Sequence, residues 1–413
     1  MEPVLPVSPQ ERIESMDVLR GFALLGILMV NILFFCGPAQ ENFMRPWREA
    51  AHPWLQAGIT WLVQGKFYCL FSFLFGMGFS VQAARLETRG ASPAKVYSRR
   101  LMVLLAIGLL HGILVWMGDI LAAYALAGFL LLAFRKRQPK TLLWWAAALL
   151  ALNALLYLIL WLVISIALSV PAAAQEIAKQ EALQKADLAK KLADALQAYG
   201  QGPYSLLFRF RFKELMTNYA MTLAVLPQIL AMFLLGAWTG RKGVLKDLDS
   251  NRGLLTKVAL WGLVFGLPAN AWYAWSMGQG FPGSRNPGAF LAFALYVFAA
   301  PALSMAYAAC LALAFQRPLP AKFLRLLAAP GRMALTSYLT QSVVMTTVFY
   351  FFGLGLYARL PLPAAYGAAL VLFALQIPLS RAWLASFTMG PAEWLWRSLT
   401  YGLWPAFRRA ASQ

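Results

Sequence analysis

The residues best suited to chemistry lie in the apolar stretch from Arg99 to Tyr124. His111 stands there among aliphatic residues, between Gly108 and Gly112, and Asp119 follows after a turn signal. An ionisable residue inside a membrane span is costly and marks a functional site by default. A buried imidazole can act as a general base or carry an acyl group. The alternative, in which His111 only hydrogen-bonds a neighbouring helix, stays open.

Further polar side chains are embedded in other apolar runs. Asp17 and Arg20 are three residues apart, so they share a helix face and can pair. Asn31 lies about 16 Å further along the same helix, past the membrane midplane. Lys66 precedes the second apolar run, where its ammonium group either enters the span or snorkels outward. Polar residues within spans also commonly form hydrogen bonds between helices, and that alternative applies to Gln341.

The composition indicates a protein built into a membrane. The chain has 413 residues, of which 61% are hydrophobic and only 13% are charged. A net charge of +20 would suit nucleic acid, but the basic residues lie between apolar runs and not on a polar face. The basic loops instead indicate which side of the membrane each loop faces, because cytoplasmic loops are enriched in Lys and Arg. We therefore predict an all-α bundle of membrane-spanning helices, with the lipid bilayer as partner and no nucleic acid.

Apolar runs long enough to be considered as membrane spans recur about ten times. Basic clusters occupy every second loop, which predicts that both termini are cytoplasmic. We predict one integral membrane domain, 1–413, with an outward-facing amphipathic insert at 172–214 and an interfacial C-terminal helix at 390–408. The predicted spans are approximately 19–36, 61–83, 101–117, 120–134, 141–170, 219–239, 255–276, 289–315, 333–353 and 364–380.

The third and fourth spans are short. Only 34 residues separate Arg100 from Arg135, which leaves about 25 Å for each leg against a hydrocarbon core of about 30 Å. On a straight helix Asp119 would lie about 12 Å from His111, too far for a hydrogen bond. From the sequence we therefore expect any acid-base pair at His111 to need a partner from another span.

Several chemistries are excluded. The sequence has no P-loop, no GxSxG elbow and no HExxH motif. With only His52 and His111, a multi-histidine metal site is impossible, and the three cysteines have no ligand spacing. We expect no metal and no tightly bound cofactor.

Five motifs in order resemble one family. SMDVLRGFALLGILMVNI, GKFYCLFSFLFGMGF, RRLMVLLAIGLLHGILVWMGDILAAYAL, GRMALTSYLTQS and GPAEWLWRSLTYG are similar to the YeiB-like bacterial membrane proteins, a family of unknown function. The resemblance implies a location in the bacterial plasma (inner) membrane. That family is grouped with the transmembrane acyltransferases, so the resemblance also implies transfer of an acyl group from cytoplasmic acyl-CoA to an acceptor on the far side, and the sequence leaves open whether that acceptor is a small molecule, a glycan or a lipid. Related glycan O-acyltransferases carry a proposed catalytic His fourteen residues after the Asp of the first motif. Asn31 stands there in this chain, so His111 would have to be the base.

These observations give one leading hypothesis and two alternatives. The leading one is acyl transfer, with His111 as base or acyl carrier, Asp119 orienting the acceptor or a second polar group, and Asn31 positioning substrate. A permease using the same polar residues is the rival, although the sequence shows no half-to-half symmetry. A lipid-binding protein is the third possibility and leaves His111 and Asp119 unexplained. The predicted substrate-binding residues are Asp17, Arg20, Lys66, Arg99, Arg100 and Gln341.

Overall fold

The computed structural model describes residues 12–38, 48, 50–90, 92–279 and 287–409, and this part of the chain is helical with no strand. The prediction of an all-α polytopic membrane bundle is confirmed. In chain order the α-helices are α1 (Glu14–Phe35), α2 (Pro53–Leu62), α3 (Lys66–Thr88), α4 (Pro93–Leu114), α5 (Leu121–Leu132), α6 (Pro139–Ser169), α7 (Pro171–Gly200), α8 (Tyr204–Lys242), α9 (Arg252–Met277), α10 (Gly288–Phe315), α11 (Pro318–Leu324), α12 (Ala328–Arg332), α13 (Ala334–Phe349), α14 (Leu362–Ser386) and α15 (Pro391–Tyr401).

Among the described residues, eight helical segments are long and apolar enough to cross a membrane. They are α1, α2 together with α3, α4, α6, α8, α9, α10 and α14. The predicted fourth and ninth spans correspond to shorter helices. Helix α5 has 12 residues and α13 has 16, or about 18 Å and 24 Å against a core of about 30 Å. The count of ten spans and the cytoplasmic position of both termini stay predictions.

The ends of the helices follow local sequence signals. Pro93 and Pro139 stand in the first turns of α4 and α6, where the missing N–H costs no helical hydrogen bond. Gly243 ends α8 in the left-handed conformation, with φ of 67°. Helix α8 runs through Pro227, which cannot donate the usual bond to the carbonyl four residues earlier.

The region predicted as an insert, 172–214, consists of α7 and the first turns of α8. Its second half begins the continuous 39-residue helix α8. In the predicted C-terminal helix, 390–408, only Pro391–Tyr401 is helical, and the Thr388 N–H donates to the Phe407 carbonyl at 2.9 Å. The outward position of the insert and the interfacial position of α15 stay predictions.

Helices α3 and α8 form the centre that supports the site. Phe75 and Phe233 stack with ring centroids 4.7 Å apart, and the Tyr68 hydroxyl donates to the Gln228 side chain at 2.6 Å. Helix α5 joins them through the Tyr124 hydroxyl, which accepts from the Ser72 hydroxyl at 2.8 Å. The turn between α4 and α5 is thereby held beside α8.

Candidate functional site

His111 and Asp119 meet in the turn between α4 and α5. Helix α4 ends at Leu114, and the His111 carbonyl accepts from the N–H groups of Val115 and Trp116, both at 2.9 Å. The chain then turns back, so that His111 Nδ1 lies 3.0 Å from Asp119 Oδ1. Both residues are buried, with 4% and 1% exposure. The predicted separation of about 12 Å is therefore wrong, because the helix ends one turn after His111 and does not continue to Asp119.

The Asp119 carboxylate is fixed from more than one side. Its Oδ2 accepts from the Ala122 N–H at 2.9 Å, in the first turn of α5, and lies 3.4 Å from the Tyr219 hydroxyl of α8. An anion at a helix N-terminus is stabilised by the unpaired N–H groups there. Asp119 is therefore both a cap for α5 and a rigid acceptor for His111.

The hydrogen bond from His111 assigns roles to its two ring nitrogens. A carboxylate only accepts, so Nδ1 carries a proton, and in the neutral ring Nε2 is left with a lone pair. Nε2 is buried and has no hydrogen-bond partner among the described residues. The ring centroid of Tyr338 lies 5.3 Å from that of His111, and Trp116 lies 6.3 Å away. The ring is therefore held in one orientation beside two aromatic side chains, an arrangement in which a neutral imidazole can accept a proton at Nε2.

Other helices satisfy the carbonyls of the turn. Arg211 Nη1 donates to the Val115 carbonyl at 2.9 Å, and Asn218 Nδ2 donates to the Met117 carbonyl at 3.1 Å. The Tyr338 hydroxyl of α13 lies 3.5 Å from the Gly118 carbonyl. Non-helical backbone at membrane depth is tolerated only where the protein satisfies it. No role was predicted for Arg211, Asn218, Tyr219 or Tyr338, although an arginine between two phenylalanines in an apolar helix is a signal that the sequence offers for Arg211.

Gly108 and Gly112 allow the close approach that their spacing predicts. A Cβ atom on Gly108 would lie 2.5 Å from the Ala122 nitrogen and 2.9 Å from Asp119 Oδ2. A Cβ atom on Gly112 would lie 3.1 Å from the Tyr219 hydroxyl. Gly108 therefore allows the start of α5 to pack closely on α4, and Gly112 allows α8 to do so.

Asn31 is not joined to this pair by a hydrogen bond. Its side chain is half-buried on α1 and makes no hydrogen bond within the described part of the chain. Near the end of the same helix, Phe35 stacks on Trp116 with centroids 4.2 Å apart. Helix α1 thus contacts the turn through an aromatic pair, and the role of Asn31 stays a prediction.

Lys66 and Gln341 lie in other parts of the bundle. The Lys66 side chain is fully buried, its Nζ donates to the Thr60 carbonyl at 2.9 Å, and it lies 5.2 Å from the ring centroid of Tyr296. The alternative in which Lys66 snorkels outward is wrong, because helices pack over the start of α3. Gln341 Nε2 donates to Gln376 Oε1 at 2.8 Å and links α13 to α14.

Two of the predicted basic residues, Arg99 and Arg100, lie towards the end of α4 that is opposite to His111. Arg20 Nη1 donates to Asp17 Oδ1 at 3.1 Å, as their spacing predicts. The Arg100 guanidinium lies 3.8 Å from the centre of a Trp396 ring, and Arg99 Nη1 donates to the Thr400 carbonyl at 3.4 Å. Arg100 precedes His111 by eleven residues, or about 16 Å along the helix. Arg99 and Arg100 therefore lie well apart from the His–Asp pair along α4.

Comparison with known proteins gives a family without an assigned activity. Residues 239–403 match the family described as "Protein of unknown function (DUF418)". The chain is 35% identical to the uncharacterized protein YxaH of Bacillus subtilis (strain 168), over 98% of both chains. It is 31% identical to the uncharacterized protein YeiB of Escherichia coli (strain K12), over 94% of this chain and 96% of that one. An uncharacterized 39.9 kDa protein of Bacillus acidopullulyticus is 27% identical over 96% of both.

Proposed function

This chain belongs to the YeiB-like family of bacterial membrane proteins of unknown function, and from that premise we propose that it is a membrane-embedded acyltransferase. It would act in the bacterial plasma membrane. It would move an acyl group from cytoplasmic acyl-CoA to a glycan or lipid acceptor at or beyond the outer face. The observation that carries the proposal is the buried His111–Asp119 pair, in which Nε2 is free to accept a proton.

The chemistry needs one base and no redox step. His111 Nε2 takes the proton of an acceptor hydroxyl while that oxygen attacks the thioester carbonyl. The C–S bond of the tetrahedral intermediate then breaks, the ester is released, and the CoA thiolate takes the proton back from Nε2. Asp119 keeps Nδ1–H in place and stabilises the imidazolium that forms between the two steps. Asn31 would position the acceptor or the acyl group.

The donor side is supported by the opposite end of α4. Arg20, Arg99 and Arg100 would attract the phosphates of acyl-CoA at the predicted cytoplasmic surface. The acyl arm would then extend along α4 towards His111, about 16 Å from Arg100. Helix α5 spans only about 18 Å, which supports a turn that lies within the membrane and within reach of both surfaces.

The test uses full-length protein in detergent with radiolabelled acetyl-CoA, with and without an extract of bacterial envelope glycans and lipids. We expect wild type to bind acetyl-CoA and release CoA, and His111→Gln to bind but not release it. His52→Gln, which removes the other histidine, is the matched control and should behave as wild type. If folded protein binds no acyl-CoA, the proposal is wrong.

A permease is the second candidate, and one observation favours it. The chain breaks between α4 and α5 beside buried polar residues, as in transporters whose discontinuous helices bind substrate. A permease would leave the thioester intact, so binding of acyl-CoA without CoA release in wild type and His111→Gln alike would favour transport over chemistry.

A further inference from the structure

A second cluster of charged residues surrounds Asp17, and it includes Arg20 and Arg100 of the proposed donor site. Asp17 Oδ1 accepts from Arg20 Nη1 at 3.1 Å, and its Oδ2 lies 3.7 Å from Arg12 Nε. One buried carboxylate is therefore shared by two guanidinium groups. The Arg20 side chain points towards α3, since a Cβ atom on Gly78 would lie 3.2 Å from Arg20 Nη2.

Arg332 lies beside the same carboxylate. Helix α12 packs directly on α1, because a Cβ atom on Gly331 would lie 1.9 Å from the Asp17 carbonyl oxygen. Arg332 follows Gly331, and its Nε is buried with no hydrogen-bond partner among the described residues. Burial and the neighbouring charge of Arg12 lower the pKa of Arg332, while Asp17 opposes that shift.

Helix α15 carries Arg397 close enough to Arg100 and Arg12 for their charges to interact. Glu393 accepts from the N–H groups of Leu335 and Thr336 at 2.6 and 3.1 Å, which fixes the start of α15 against the first turn of α13. Arg397 lies one turn after Glu393 and follows Trp396, on whose ring Arg100 is stacked. Burial lowers the pKa of Arg397 to about 10, and the charges of Arg100 and Arg12 add to that effect.

The charges of this cluster do not balance among the described residues. Five arginines accompany two carboxylates, Asp17 and Glu393, since Glu14 pairs with Arg325, and Glu393 already accepts two N–H groups and the Thr336 hydroxyl. Like charges that are partly removed from water repel one another unless an anion lies between them. Guanidinium groups bind phosphate oxygens in a two-pronged geometry that lysine cannot reproduce. The five arginines are Arg12, Arg20, Arg100, Arg332 and Arg397.

We propose that this arginine cluster binds a ligand carrying at least two phosphoryl charges, and that Arg332 and Arg397 are binding residues for it. The inference rests on the proposed function in that acyl-CoA, with its diphosphate and 3′-phosphate, is a ligand of this chemistry. The site itself requires phosphate recognition only. A soluble nucleotide with two phosphoryl groups and the headgroup of cardiolipin, which carries two phosphates, share that chemistry.

The experiment measures binding to full-length protein in nanodiscs of phosphatidylcholine, which has no net charge. The probes are adenosine 3′,5′-bisphosphate and inorganic pyrophosphate, neither of which carries an acyl group. We expect saturable, salt-sensitive binding, weakened about tenfold or more by Arg332→Gln and by Arg397→Gln. Arg397→Lys keeps the charge but loses the planar fork, and it should fall between wild type and Arg397→Gln.

Arg325→Gln is the matched control, because Arg325 is exposed and pairs with Glu14, not with Asp17. Nanodiscs containing cardiolipin, whose headgroup carries two phosphates, form the second arm: loss of probe binding there identifies a lipid phosphate as the occupant, and retained binding identifies a soluble one. The proposal is overturned if neither probe binds folded wild type in phosphatidylcholine, or if the cluster variants bind like Arg325→Gln. Binding that His111→Gln retains while wild type transfers no acyl group would uphold this site and refute the proposed function.

Discussion

Asp119→Asn should reverse the protonation of the His111 ring without unfolding the turn. The amide has one oxygen, and the Ala122 N–H at 2.9 Å requires an acceptor, so the amide oxygen stays on Ala122. The NH₂ group then faces His111 Nδ1 in place of a carboxylate oxygen 3.0 Å away. Since that group can only donate, the ring proton moves to Nε2 and the lone pair that a base needs is lost from that nitrogen.

The size of the effect follows from the hydrogen bond itself. A buried hydrogen bond to a charged group contributes about 1.5–3 kcal/mol, which favours the Nδ1–H form about ten- to a hundredfold over the alternative. In Asp119→Asn the preference reverses. Where a tautomer is inverted in this way in another His–Asp pair, turnover falls about 10⁴-fold, and we expect a loss of that order in acyl transfer.

The assay is ¹⁵N NMR of the imidazole nitrogens in detergent. The chain has only two histidines, so His52→Gln leaves a single labelled ring and also serves as the control for folding and activity. We expect Nδ1 protonated and Nε2 unprotonated in that background, and the reverse after Asp119→Asn is added. A protonated Nε2 at neutral pH before Asp119 is changed, as the other tautomer or as imidazolium, would refute the reasoning.

Three further changes test the supports of the site. Gly108→Ala should destabilise the protein by about 1–3 kcal/mol, because its Cβ would meet the Ala122 nitrogen at 2.5 Å; Gly367→Ala, with nothing within 4 Å, is the control, and equal melting temperatures in detergent would contradict the packing. Arg211→Met should cost about 1–3 kcal/mol by leaving the Val115 carbonyl without its donor, and it should lower acyl transfer beyond the loss of folded protein; an unchanged rate per folded molecule would mean that Arg211 does not position the turn. Glu393→Ala should destabilise the protein more than Glu393→Gln, because Gln keeps one acceptor for the Leu335 and Thr336 N–H groups. Thermal unfolding in detergent would measure both losses of stability. Equal losses would argue against a stabilising role of these hydrogen bonds at the start of α13.

The sequence was sufficient for the fold class and for single residues of the site, but not for their contact. Long apolar runs separated by basic loops predict a helical membrane bundle on physical grounds, and a His or Asp inside such a run is conspicuous. Helix α4 ends at Leu114, four residues before the turn signal at Gly118, although Val115, Trp116 and Met117 are compatible with a continuing helix. Side chains distant in sequence stabilise this earlier end by donating hydrogen bonds to the carbonyls of the turn.

Those partners explain what could not be predicted. Arg211 and Asn218 lie about a hundred residues after the turn whose carbonyls they satisfy, and no spacing rule connects them. The burial of Lys66 was equally hidden, because a lysine at the end of a span snorkels or is enclosed according to which helices pack over it. The Asp17–Arg20 pair was predictable, since both residues lie on one turn of one helix.

Pro227 divides α8 into an earlier and a later half that can tilt relative to each other. Near the middle of its 39 residues Pro227 leaves the hydrogen-bond ladder one bond short, so bending stiffness is lowest there. The later half is clamped to α3 by the Phe75–Phe233 stack, whereas the earlier half carries Arg211 and Asn218, which hold the turn. A tilt of the earlier half of α8 about Pro227 would therefore move the turn that carries the His–Asp pair, while the contact between the later half and α3 stays fixed.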